Sequence, residues 1–158
     1  MTPPAKKSER GRLPDGWGLV MLLADSAAVS EGKIFMLGGG WSLVSASTPS
    51  FAVVVKIEVP WNAANEPHRL ALELVNDDAT PVMVHTAGEE VAVEGAGSFE
   101  VGRPPGVKPG TALDLPIVFN FQSLSLQPGR RYVWRLSIDG RDDLTRELVF
   151  STRPAPKV

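Results

Sequence analysis

His68 and His85 are the chain's only histidines, so acid-base or zinc chemistry near neutral pH has to be built on them. They fall on neighbouring predicted strands. With no cysteine in the chain, a zinc ion would need two carboxylates beside the pair, and Glu66 is the only one close in sequence. No Gly-x-Ser-x-Gly elbow matches a serine to either ring. The residues therefore spell out neither a catalytic set nor a metal site, and both histidines read as surface or rim residues.

The stretch richest in binding chemistry is Pro60-Trp61-Asn62-Ala63-Ala64-Asn65-Glu66-Pro67-His68, which joins an aromatic face, two amides, a carboxylate and an imidazole between two predicted strands. Loops on a rigid scaffold often carry contact residues, and this mixture suits a sugar or a peptide. Trp61, Asn62, Asn65, Glu66 and His68 are thus the candidate ligand or partner contacts. In the competing reading Trp61 caps the core and the two asparagines bond the loop backbone.

Three weaker patterns are better explained by architecture. Gly38-Gly39-Gly40-Trp41 lacks the following helix and the Lys-Ser or Lys-Thr pair of a phosphate loop, and reads as a tight turn or bulge with Trp41 packed beside it. Asp77-Asp78 and Asp139, Asp142 and Asp143 have oxygens for calcium but no EF-hand spacing, and aspartate is an ordinary turn former. Glu89, Glu90, Glu94 and Glu100 read as a solvated strand edge that discourages unwanted pairing.

The elements that must position these residues announce themselves by alternation, which sends successive side chains to opposite faces of a strand. Phe51, Val53, Val55, Ile57 and Val59 share one face while Lys56 and Glu58 mark the other. Leu70, Leu72 and Leu74 repeat the pattern, and Asn76 to Thr80 is a turn leading to Val82 and Val84, which predicts a hairpin. Ile117, Phe119 and Phe121 form a further run. Tyr132, Trp134, Leu136 and Ile138 form another, returning through Asp139-Gly140 to Leu148 and Phe150. Shorter strands are expected at 18–24, 33–37, 41–45, 89–94 and 98–102. No stretch sustains a helical period. The whole reads as an all-β sandwich of about eight to ten short strands.

Leu126-Gln127-Pro128-Gly129-Arg130-Arg131-Tyr132 resembles the tyrosine corner of immunoglobulin-like and fibronectin-type sandwiches, with Leu126, Pro128, Gly129 and Tyr132 as its structural corner. That resemblance implies Greek-key connections and a tyrosine hydroxyl bonded back to the preceding loop. It implies no activity. The chain also resembles a family of small, functionally uncharacterised bacterial β-domain proteins. The resemblance rests on Leu23 to Val29 with Gly32-Lys33, on Leu37-Gly38-Gly39-Gly40-Trp41, and on Pro60-Trp61-Asn62 with His68. It covers roughly residues 18–152 and carries no reaction or ligand with it.

The 158 residues suffice for one domain, expected at 17–152 between a basic tail (1–16) and a Pro-rich tail (153–158), both mobile. The net charge of −2 joins a tail of net +2 to a mildly acidic body with no basic stripe, which argues against nucleic acid as a partner. The run Leu19 to Ala24 is short for a secretion signal and far below the roughly 18 apolar residues of a membrane span. The expectation is a soluble, cytoplasmic, non-enzymatic module that needs no cofactor and meets a protein partner or itself. The alternative is a small-molecule or carbohydrate-binding sandwich using the loop around Trp61.

Overall fold

The computed structural model describes residues 12–157; residues 1–11 of the expected N-terminal tail, and Val158, lie outside them. The described part is an all-β sandwich. In chain order its strands are β1 (Gly18–Ser30), β2 (Lys33–Gly39), β3 (Leu43–Val44), β4 (Phe51–Val59), β5 (His68–Asn76), β6 (Met83–Thr86), β7 (Glu89–Ala92), β8 (Glu94–Phe99), β9 (Leu113–Phe121), β10 (Arg131–Ile138) and β11 (Thr145–Thr152). One sheet has the order β2-β1-β4-β9 and the other β3-β11-β10-β5-β8, while β6 and β7 form a separate hairpin. Every pairing is antiparallel except that of β3 with β11.

The alternating runs do what their pattern requires. Val53, Val55, Ile57 and Val59 of β4 are fully buried against Leu70, Leu72 and Leu74 of β5 and Trp134, Leu136 and Ile138 of β10. Burying each such side chain is worth roughly 1.5–3 kcal/mol, so the interleaved faces hold the sheets together without a covalent bridge. Trp134 fills the centre, 4.8 Å from the Phe121 ring and 6.2 Å from that of Phe51, and its indole N–H meets no acceptor among the described residues. At the corner, the Tyr132 hydroxyl accepts a hydrogen bond from the Gln127 N–H at 2.9 Å, and Thr152 Oγ1 donates to the Gln127 carbonyl at 2.6 Å.

Several boundaries differ from expectation, each for a local reason. The described residues form eleven strands rather than eight to ten, and β1 runs for thirteen residues because β4 supports its first half and β2 its second. The expected hairpin into Val84 stops early. The Val82 N–H still bonds to the Leu74 carbonyl, but the chain then leaves β5 and pairs β6 with β7, and β8 takes the place beside β5. The segment 41–45 yields only Leu43–Val44. At the N-terminal end the fold starts before residue 17: Arg12 bridges to Gly18 and Asp15 accepts a hydrogen bond from Arg141 at 3.0 Å. At the C-terminal end Arg153 is held by the Val44 carbonyl.

Candidate functional site

The loop between β4 and β5 gathers the five expected contact residues at one end of the sandwich and then uses most of them internally. Trp61 opens a short 3-10 turn (Trp61–Ala63) and packs, half buried, on the core. Its ring is covered by Arg103, whose guanidinium carbon sits 4.7 Å from the ring centroid and whose Nη2 donates to the Trp61 carbonyl at 2.8 Å. Asn65 adopts a positive φ of 59° and its N–H bonds to the Val101 carbonyl, closing the loop. Asn62 and Glu66 are exposed.

His68 is not the rim residue that the sequence suggested. It is only 6% exposed, wedged between Trp17 and Phe99 at ring distances of 5.1 and 5.2 Å. Its Nδ1 lies 2.8 Å from Asp139 Oδ2 and its Nε2 2.8 Å from the Ala63 carbonyl, so both ring nitrogens face acceptors, and only the imidazolium donates to both. Burial works against the charge. The Ala63 and Asp139 hydrogen bonds, with the negative charges of Asp139 and Glu66, outweigh it and raise the pKa above the ordinary 6.5. Burial likewise opposes ionisation of Asp139, but the Arg69 N–H and His68 prevail and lower its pKa below 3.8. The pair ties the β4–β5 loop to the β10–β11 turn. It is a clamp in which both ring nitrogens of His68 already face acceptors.

The other chemically suggestive residues are dispersed or engaged. His85 is exposed on β6, away from His68, and lies 4.0 Å from Glu90. Asp143 pairs with Arg141 and Asp139 with His68, which dissolves the aspartate cluster of that turn. Asn76 Oδ1 accepts the N–H groups of Asp78 and Thr80, the ordinary bonding of an Asx turn. Among the described residues no group of three His, Asp or Glu side chains could hold a metal ion. Trp41 packs edge-on against Phe51 and Phe150, as the sequence suggested, while Gly38 and Gly39 belong to β2 and only Gly40 lies in the bend after it.

A different region carries the exposed chemistry. Beyond Ala24, β1 leaves β4 and continues with β2 as a two-stranded arm. Both strands approach β9, from which β4 separates them in the sheet, so the arm leans over the outer face. There Ala27 and Ile34 pack on Ala24, Ala52, Val54 and Val118. Among the described residues nothing covers the opposite face of the arm. Phe35, paired with Ala28, is 56% exposed and Leu37, paired with Ser26, is 73% exposed.

The arm's outer strand is also an open edge, and the four edges of the two larger sheets are not alike. β9 carries Asp114 and Pro116, β8 opens on Glu94, and β3 is two residues long, all features that discourage pairing with another chain. β2 has only Lys33 at its start, then Ile34-Phe35-Met36-Leu37. The sequence offered one signal for this: an apolar run in which no polar residue alternates.

Fold and site together define an all-β sandwich domain whose polar clusters are spent on holding its loops and whose exposed feature is an apolar strand edge. The chain belongs to a family of unknown function (DUF6941), whose model matches residues 19–150 and so takes in both the arm and the His68 clamp. No curated protein matches the chain. No helix among the described residues is long and apolar enough to cross a membrane.

Proposed function

We propose that this chain is a non-enzymatic interaction or assembly module whose contact surface is the β1–β2 arm. The observation that carries the reading is the unguarded β2 edge with Phe35 and Leu37 exposed beside it, since long, flat, apolar edges are strand-pairing surfaces unless a protein blunts them. A finer reading of the fold accompanies it: an immunoglobulin-like Greek-key sandwich. Support comes from the corner bond of Tyr132, the parallel β3–β11 edge pair, and the pairing of β4 with β9 and of β5 with β10 across two sheets. The absence of cysteine suits a reducing cytoplasm, where the module is placed in this reading.

The test is photo-crosslinking in the source cell, with the reactive group placed at Leu37 and, as a control, at Thr86 on the separate hairpin. A discrete adduct from Leu37 alone is expected. No adduct, or the same adducts from both positions, would sink the reading.

A second reading, binding of a small apolar molecule, is favoured by one place. Between the β8 and β9 edges a cleft of about 310 Å3 is lined by Leu70, Phe99, Leu115, Ile117 and Phe119, where Ala96 and Gly97 leave the seam open. Stoichiometric binding of a fluorescent apolar probe, lost on Ala96→Trp, would favour it over the arm. The Trp61 loop is less suited to a sugar, because Arg103 already occupies the indole face.

A further inference from the structure

We infer that the arm's partner is a second copy of this chain, joined edge to edge through antiparallel β2 strands so that two four-stranded sheets become one of eight strands. The inference rests on the arm being the contact surface and adds its occupant and register.

Pairing about a two-fold axis at Met36 places Phe35 of one copy opposite Leu37 of the other, and the symmetry makes that contact twice. Both side chains lie on the uncovered face of the arm. The same register sets Lys33 opposite Gly39 of the other copy, one residue from Gly38. Gly38 has a φ of +59°, and a Cβ there would collide with the carboxylate of Asp25, so that carboxylate already lies over the glycine, toward the open edge. Lys33 and Asp25 are both exposed, and neither has an ion-pair partner among the described residues of its own chain. Across the axis they complement each other, again twice. Moving the axis to Phe35 would set Lys33 against Leu37 and lose both matches, so charge and shape select the same register.

The two-fold also explains why one unguarded edge suffices. An isologous contact consumes the same surface on both copies and closes, leaving outside the blunted β3, β8 and β9 edges of the two larger sheets and the short β6–β7 hairpin.

The chain has no cysteine, so Met36→Cys introduces a single thiol at the proposed axis. Directly opposed residues of antiparallel strands have Cα atoms roughly 4.5–5.5 Å apart, within disulfide range. Under mild oxidation the Met36→Cys chain is expected to run at twice its mass, while Thr86→Cys does not. By sedimentation, Lys33→Glu and Asp25→Lys should each weaken dimerisation by about tenfold or more, and the double variant should recover most of the loss. A wild-type chain that stays monomeric at about 100 μM, far above the Kd of most specific complexes, would overturn the inference. So would a dimer of the Met36→Cys variant whose introduced thiols do not crosslink. A monomer that still gives a Leu37 adduct of another mass would overturn the self-pairing while leaving the interaction module in place; no adduct at all would remove both.

Discussion

The β4–β5 loop and the β1–β2 arm distribute chemistry and exposure in opposite ways. The loop holds an indole, an imidazole and amides, the residue types that recognise ligands, yet His68 is saturated by Asp139 and Ala63 and the indole of Trp61 lies under Arg103. The arm has plain apolar side chains and three charges, Asp25, Glu31 and Lys33, with no ion-pair partner among the described residues, and only its inner face is packed. Residue type suggests what a group could do. The partners it already has decide whether it is available.

Stability measurements put this contrast to the test. The largest expected effect is that of His68→Ala, which empties the place between Trp17 and Phe99, takes the partner from the Ala63 carbonyl and leaves Asp139 only the Arg69 N–H. An unmade hydrogen bond at a buried group costs about 1–3 kcal/mol, and because the exposed Asp139 is rehydrated, urea titration should show a loss of about 1–2 kcal/mol. Next is the pH profile. Because the folded pKa of His68 is raised, its contribution is complete below pH 6.5 and is lost as the pH rises through the higher folded value. Asp139, lowered, contributes fully above its ordinary 3.8 and loses its contribution as the pH falls through its folded value. Stability should therefore have a plateau between these limits and decline on the alkaline side, and His68→Asn should flatten that decline.

Arg103→Ala comes third, at about 0.5–1 kcal/mol, the worth of an exposed cation over an aromatic face. Leu37→Ser should be smallest, within about 0.5 kcal/mol for a monomer measured at low concentration. A Leu37→Ser loss as large as that of His68→Ala would mean that the arm is packed rather than free, and the contrast would fail.

Much of the architecture was legible because β5 and β10 alternate cleanly and β4 does so from Val55 onward, and because Tyr132 follows Pro128-Gly129 at the spacing its hydroxyl needs. The arm was not legible in the same way. In Ile34-Phe35-Met36-Leu37 both faces are apolar, so alternation cannot say which side is covered, and a buried strand and an open edge look alike. His68 was misplaced for another reason: its partner, Asp139, is distant in sequence and becomes visible only when β5 and β10 lie side by side. The short β6–β7 excursion was hidden because Val82 does return to Leu74 before the chain departs.

The register of β4 on β9 has a consequence for the order of assembly. Phe51 meets Phe121 across nearly half the chain, whereas β10 and β11 meet through a short turn. Distant strand pairings close slowly, and sandwiches dominated by them fold in roughly milliseconds to seconds. Until β9 arrives, β4 has one flank bare, and that flank is more apolar than the arm that stays open afterwards. Refolding should therefore slow and aggregate as protein concentration rises even when Phe35 and Leu37 are replaced by serine, a stopped-flow and light-scattering measurement. The stickiest surface of this chain belongs to a transient state rather than to the finished domain.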